Sequence, residues 1–291
     1  MKLSVVIPSY NRKDTLLKCL NALFKQTYSK EGFEIIVIDD GSTDGTEFFI
    51  KEAIKSPPVE LKYFRQENKG PAAAKNTGIR NANGKVILFI GDDIIATSTL
   101  LEEHSNWHRE YPNDKAAVGG YVSWAKDTCV TPFMKWLENG GPQFTFNLIK
   151  KDTVDYRYFI TANISLKRNL LLRNGIFDED FRYACYEDIE LGYRLTNMGL
   201  KLLYNKNAVG HHSHTTSLIN YERRMLNAGK SLRLFLNKHP ELRKRYYPTL
   251  WRRLRTYLYA PVIYANYNPI TFYYRYRLNK KLMEGLREPL A

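Results

Sequence analysis

The chain has 291 residues, 44% hydrophobic and 25% charged, which excludes a disordered or fibrous protein and leaves room for a substantial core. Its net charge of +14 is unevenly held: from Tyr221 onward 16 Lys and Arg face four acids, whereas the first 220 residues carry 28 basic and 26 acidic residues. Three widely spaced cysteines, Cys19, Cys129 and Cys185, form no C-x-x-C pair, which argues against a zinc ribbon or a disulfide framework and for a reducing compartment. MKLSVVIPSYNR has too short an apolar run for a signal peptide, and no stretch is long enough to span a bilayer, so a cytoplasmic protein is expected.

In chain order, LSVVIP (3–8) predicts a buried strand, and 15–26 an amphipathic helix with Leu16, Leu20 and Leu23 on one face. FEIIVIDD (33–40) predicts a second strand ending in two aspartates, and GSTDGTEFFIKEAI a turn and helix. A third strand is expected at 61–66, a helix opened by Gly-Pro at 70–82, and a fourth strand in KVILFIGDD (85–93), again ending in two aspartates. Strands alternating with helices specify a largely parallel sheet covered on both faces. Residues 116–168 are less regular, with short strands around AAVGGYVSW and RYFITANISL. NGIFDEDF (174–181) leads into a helix that begins with three acids, KLLYN (201–205) makes another strand, and VGHHSHTT follows. Beyond it Tyr221, Met225, Ala228, Leu232 and Leu236 recur at helical spacing.

Open α/β sheets bind ligands at the carboxyl ends of their strands. Three polar clusters fall at such ends: PSYN (8–11), DDGSTD (39–44) and GDD (91–93). Adjacent carboxylates after a strand suit a hard divalent cation that also holds phosphate oxygens, while Gly-Asp-Asp is equally a good turn former. Asp39 and Asp40 could hydrogen-bond a base or ribose, or shape a turn. Three histidines in GHHSH (210–214) favour a ligand role, although H-H-x-H is no standard zinc spacing. In CYEDIELGYRL (185–195), Glu187, Asp188 and Glu190 read either as first-turn carboxylates that complement the helix dipole or as the home of a general base.

Taken together and in order, VVIPSYNR, Q-T, EIIVIDDGSTDGT, N-K-G-x-x-x-A-x-N-x-G-I (68–79), FIGDD, TANISLKR (161–168), GIFDEDF, YEDIELGYRL and HHSH make the chain resemble a family 2 glycosyltransferase over residues 3–215. The resemblance implies the GT-A fold, α/β with a mostly parallel, Rossmann-like sheet flanked by helices, and an inverting, nucleotide-diphospho-sugar-dependent activity. It implies that Pro8, Ser9, Tyr10 and Asn11 line the base and ribose pocket, that Asp40 accepts from the base ring with Asp39 beside it, and that Lys75 contacts the donor diphosphate. Asp92 and Asp93 match the D-x-D element, which holds ribose and metal. Gly91 stands where its first carboxylate would be, and Asp93 is left as the direct ligand of Mn2+ or Mg2+. His211 matches a metal-ligand position, with His212 and His214 as rivals. Asp188 matches the catalytic base, Glu187 would orient the acceptor or its loop, and Glu190 would project to another side of the helix.

UDP is the nucleotide implied by resemblance, with GDP and dTDP as alternatives, and the acceptor a glycan or lipid-linked saccharide. The expected division is a catalytic domain over 1–218, with a nucleotide-sugar-binding half at 1–115 and an acceptor-side half at 116–218, followed by a helical extension over 219–291. That extension interleaves its charge with ten tyrosines, which suits docking on an anionic membrane surface, or packing on the catalytic domain or a second subunit. Nucleic-acid binding is not expected, because no recognisable module accompanies the charge. Two further functions compete: a sugar-nucleotide-binding protein without catalysis, and a nucleotidyltransferase of similar fold. A processive polymerase is disfavoured, since Q-x-x-R-W and spanning helices do not occur.

Overall fold

The computed structural model describes residues 1–53, 55–143, 145–246, 250–251 and 269–288. They form two compact units: Met1–Thr128, Phe146–Arg182 and Glu187–His214 make the first, and Cys129–Thr145, Tyr183–Tyr186 and Thr215–Ala291 the second.

The first unit is built on one eight-stranded sheet of order β3-β2-β1-β4-β7-β6-β8-β5. β1 (Leu3–Ser9), β2 (Phe33–Asp39) and β4 (Val86–Ile90) are largely apolar runs that lie side by side in it, β2 and β4 buried at every residue. Such runs suit parallel strands covered on both faces, and β1 pairs parallel with both β2 and β4. β3 (Glu60–Arg65), with its ends exposed and its middle half-buried, takes the edge. Beyond β4 the sheet is mixed. β7 (Asn163–Lys167) runs antiparallel to β4 and to β6 (Ala116–Trp124), while β6 is parallel to β8 (Lys201–His212). β5 (Ile94–Ala96) closes the sheet antiparallel to the end of β8.

The strand expected at 201–205 therefore continues to His212, because β8 pairs with β6 across a bulge at Gly120/Tyr121 and then with β5. The helices are α1 (Lys13–Phe24), α2 (Thr46–Ala53), α3 (Pro71–Asn81), α4 (Leu100–Glu110), α6 (Arg168–Asn174) and α7 (Glu187–Asn197), with α5 in the second unit. α1 starts two residues earlier than its apolar pattern suggests and buries Leu16, Cys19, Leu20 and Leu23. α3 lies close to β1, for Gly78 sits where a Cβ would overlap Val6. Gly70, at φ +88°, precedes Pro71 at the first helical turn, and a Cβ there would lie 2.6 Å from the carbonyl oxygen of Arg182. The core between sheet and helices gathers Val6, Ile36, Ala74, Phe89, Ile164 and Leu191, all fully buried.

Among the described residues the second unit holds the helices α5 (Pro132–Asn139), α8 (Leu218–Lys238) and α9 (Pro269–Arg287). α8 buries Tyr221, Met225, Ala228, Leu232 and Leu236, the stripe that its helical spacing predicts. Phe133 of α5 meets Tyr221 and Tyr274 edge-on at 5.9 and 5.0 Å, so a segment from the middle of the sequence joins the C-terminal helices. Gly229 and Gly285 let α8 and α9 touch along their backbones, since a Cβ at either would overlap the other helix. The aromatic and basic stretch at 252–268 lies outside the described residues. Among the described residues no helix is long and apolar enough to cross a membrane.

Candidate functional site

The parallel register sets Ser9 beside Asp39, so the loops after β1 and β2 emerge together, with the one after β4 on the other side. Ser9 donates to Asp92 Oδ2 at 2.8 Å. Asn11, at φ +52°, takes the left-handed conformation that asparagine tolerates; its side-chain oxygen accepts from Thr43 N at 2.7 Å and its N–H donates to Ser42 Oγ at 2.9 Å. Pro8 is half-buried within β1, and Tyr10 is 48% exposed beside this seam. Asp39 is fully buried and accepts from Ser42 N at 2.7 Å and from the Tyr63 hydroxyl at 2.6 Å. Burial and that carboxylate raise the pKa of the Tyr63 phenol. Asp40 accepts from Gln66 Nε2, Lys69 N and Gly70 N at 2.7, 3.0 and 2.8 Å, fastening the loop that opens α3. The three polar clusters thus meet at one end of the sheet.

Asp93 is the hub of a second grouping. Asp93, His212 and His214 can each offer a ligand atom, all within 4.8 Å of one another. His212 Nδ1 lies 3.1 Å from Asp93 Oδ1, and His214 Nδ1 lies 2.7 Å from Oδ2 without the alignment of a hydrogen bond. The backbone enforces the meeting, because Ile94 pairs with His212 and both N–H and Oγ of Ser213 donate to the Asp93 carbonyl. His211 faces the other way, with Nδ1 2.9 Å from Ser123 Oγ, and stands apart from this grouping. Side chains alternate along a strand, so His211 and His212 leave the end of β8 on opposite faces.

Arg12 Nη1 donates to Asp93 Oδ2 at 2.5 Å and to Asp92 Oδ1 at 3.4 Å. Burial pushes Asp92 up to about 7 against the pull of Arg12. Burial acts on Asp93 in the same sense, but His212, His214 and Arg12 hold its carboxyl well below the ordinary range. A cleft of about 300 Å³ opens here, lined by Asn11, Arg12, Asp44 and His214 among others. A cleft of about 340 Å³ at Lys30, Phe33 and Pro58 lies at the amino-terminal ends of β2 and β3 and carries none of these groups. Two imidazoles and a carboxylate fit a divalent transition metal better than Mg2+, which prefers an all-oxygen shell.

At the start of α7, Asp188 accepts from Lys75 Nζ at 2.5 Å through Oδ1, and from Thr161 N and Oγ1 at 2.9 and 2.8 Å through Oδ2. Glu187 Oε1 accepts from the same ammonium at 2.9 Å. Glu190 turns to Arg194 one turn on, at 2.7 Å. Sequence reasoning did not single out Arg12, Thr161 or Tyr63. Arg12 and Thr161 stood inside quoted motifs, and β-alternation was the available signal for His212 over His211; Tyr63, in a half-buried edge strand, gave none.

Residues 4–175 match the profile of the Glycosyl transferase family 2. The chain is 31% identical over 285 residues to a validoxylamine A glucosyltransferase of Streptomyces hygroscopicus subsp. limoneus, an alignment covering 82% of this chain and 57% of that protein. It therefore spans less than two thirds of that relative's length. Its fold resembles the mannosyltransferase PcManGT from Pyrobaculum calidifontis, solved in complex with GDP-Man and Mn2+, at a TM-score of 0.69 and 19% identity over 98% of this chain and 85% of that one. It also resembles S. aureus TarS in complex with UDP-GlcNAc, at a TM-score of 0.59 and 18% identity over 97% of this chain and 89% of that one. With the sheet and the profile match in agreement, the chain belongs to glycosyl transferase family 2.

Proposed function

We propose that the chain is an inverting glycosyltransferase that moves one sugar from a nucleoside-diphosphate donor to an acceptor hydroxyl, with Asp188 as general base and a divalent cation held by Asp93, His212 and His214. The observation that carries this reading is the convergence of Asp93, His212 and His214 beside the seam formed by Ser9, Asn11 and Asp92. The cation, when bound, would stabilise charge developing on the leaving diphosphate. Ser9 to Asn11, with the loop fixed by Asp39 and Asp40, would cradle the base and ribose. Asp188 would take the proton of the attacking hydroxyl, since an inverting transfer is a single displacement in which that proton must leave. Glu187, buried behind it, would fix the start of α7.

UDP and GDP sugars are both proposed donors, in keeping with the ligands of the two structural neighbours. The acceptor is proposed as a glycan or lipid-linked saccharide. The basic residues beyond Tyr221 would bring the chain to an anionic membrane that carries the latter form.

The test is to incubate UDP-glucose, UDP-GlcNAc and GDP-mannose with a panel of hydroxyl acceptors, with Mn2+ or with chelator. Released nucleoside diphosphate, a β-linked product from an α-linked donor, and an Asp188→Asn variant slowed about 100-fold or more with donor affinity kept, are expected. Pyrophosphate release would instead indicate nucleotidyl transfer. Donor binding with no turnover on any acceptor, in wild type and variant alike, would favour a binding protein.

A further inference from the structure

Lys75 is carried by α3 and its side chain is 4% exposed; that of Glu187 is 3% and that of Asp188 13% exposed. Of this buried triad, Asp188 is the member most open to solvent. Two of the three ammonium hydrogens are committed, to Glu187 Oε1 and Asp188 Oδ1, and the Phe177 ring covers Nζ at 4.9 Å. Burial works against the charge of the ammonium, but the two carboxylates outweigh it and raise the pKa of Lys75 above that of a free lysine. An ammonium so enclosed is poorly placed to reach a diphosphate in an open cleft.

What it does for Asp188 follows from two arguments. Glu187 and Asp188 are adjacent carboxylates sharing one buried cation, and without that cation like-charge repulsion and burial would drive one of them to hold a proton. A protonated Asp188 cannot accept another. The second argument concerns direction. A carboxylate offers about four acceptor positions. Thr161 N and Oγ1 occupy Oδ2, Lys75 takes one position on Oδ1, and the remaining one on Oδ1 is where a hydroxyl could be received.

We propose that Lys75 is a positioning residue for the general base, holding the Asp188 carboxylate ionised and aimed at the acceptor hydroxyl, and that it makes no contact with the donor diphosphate. This rests on the reading of Asp188 as the base. Among the described residues, Lys75 from α3 and Glu187 from α7 are the charged groups joined to Asp188 in this hydrogen-bonded cluster, with Thr161 neutral from the loop before β7.

The test compares the wild-type chain with Lys75→Met, Lys75→Arg and the double variant Lys75→Met/Glu187→Gln. Donor affinity is measured by calorimetry with Mn2+, and kcat as a function of pH. Lys75→Met is expected to keep donor affinity within about twofold of wild type, while the acid limb of its kcat profile moves up by about one to three pH units. Lys75→Arg should stay near wild type, and the double variant, which removes a cation and an anion together, should recover part of the shift. The double variant and Lys75→Arg keep the comparison available should Lys75→Met not fold. A loss of donor affinity of tenfold or more in the double variant, with an unmoved acid limb, would overturn the proposal and make Lys75 a diphosphate contact. If Asp188→Asn transfers sugar as fast as wild type, the base assignment itself fails and this inference falls with it.

Discussion

Acidification to pH 5 should remove about 4 kcal/mol of folding stability through two histidines that no part of the proposed reaction uses. His104 and His108 stand one turn apart on α4 and are 0% and 1% exposed. Each places a ring nitrogen 2.8 Å from Ser165 Oγ, and His104 Nε2 lies 2.9 Å from Asn163 Oδ1. Burial lowers their pKa to about 4 and about 3; Lys167 adds to the effect on His108. Both folded values lie below the unfolded value of about 6.5, so the unfolded chain binds these protons first as pH falls. The stability is therefore fully present above about 6.5 and is lost progressively below it, by about 2 kcal/mol per histidine at pH 5. That figure is set by the unfolded pKa as long as the folded one stays under about 5. Asp92, raised by burial to about 7, pulls the opposite way over the same window, so the wild-type slope alone does not isolate the histidines. The assay is urea unfolding followed by circular dichroism between pH 7.5 and 5, on wild type and on His108→Gln. The variant is expected to lose about 2 kcal/mol less across that range. Parallel curves would refute the reasoning and mean that His108 is protonated in the fold.

Gly285→Ala should separate α9 from α8, because its Cβ would overlap the carbonyl oxygen of Leu226, at a cost of about 1–3 kcal/mol read as a lower calorimetric Tm. Tyr63→Phe leaves the buried Asp39 one donor short, and about 1–3 kcal/mol should be lost in denaturant unfolding. His212→Gln and His214→Gln should each weaken Mn2+ binding about tenfold or more, while His211→Gln, whose ring faces Ser123, should change it less than about twofold, as followed by electron paramagnetic resonance of free Mn2+.

The largely apolar runs of β1, β2 and β4 made the parallel part of the sheet legible, and the polar clusters at their ends lie where Ser9, Asn11, Asp39 and Asp92 come together. What local pattern could not supply was distance in sequence. The partnership of Lys75 with Asp188 spans 113 residues, and no periodicity on α3 points to it. The neighbourhood of Asp93 depends on the antiparallel pairing of β5, a strand of only three residues, with the end of β8. Once β8 is known to run to His212, alternation alone separates His211 from His212, so this part of the site was hidden by a strand end rather than by chemistry. The antiparallel β7 between β4 and β6 was equally hidden, since five buried residues in a row look the same in either direction. Burial of α5 against Tyr221 and Tyr274 is likewise a tertiary choice made by aromatic faces far apart in the chain.

The most direct measurement is a calorimetric titration of UDP and of GDP into the wild-type chain and into Asp93→Ala, each with Mn2+ and with chelator. Binding of one diphosphate that needs Mn2+ and falls about 100-fold or more in Asp93→Ala is expected if Asp93 helps hold a cation that offsets the charge of the diphosphate. Equal binding with and without metal, or no binding of either nucleotide, would contradict it and leave Asp93, His212 and His214 as a structural cluster held by Arg12.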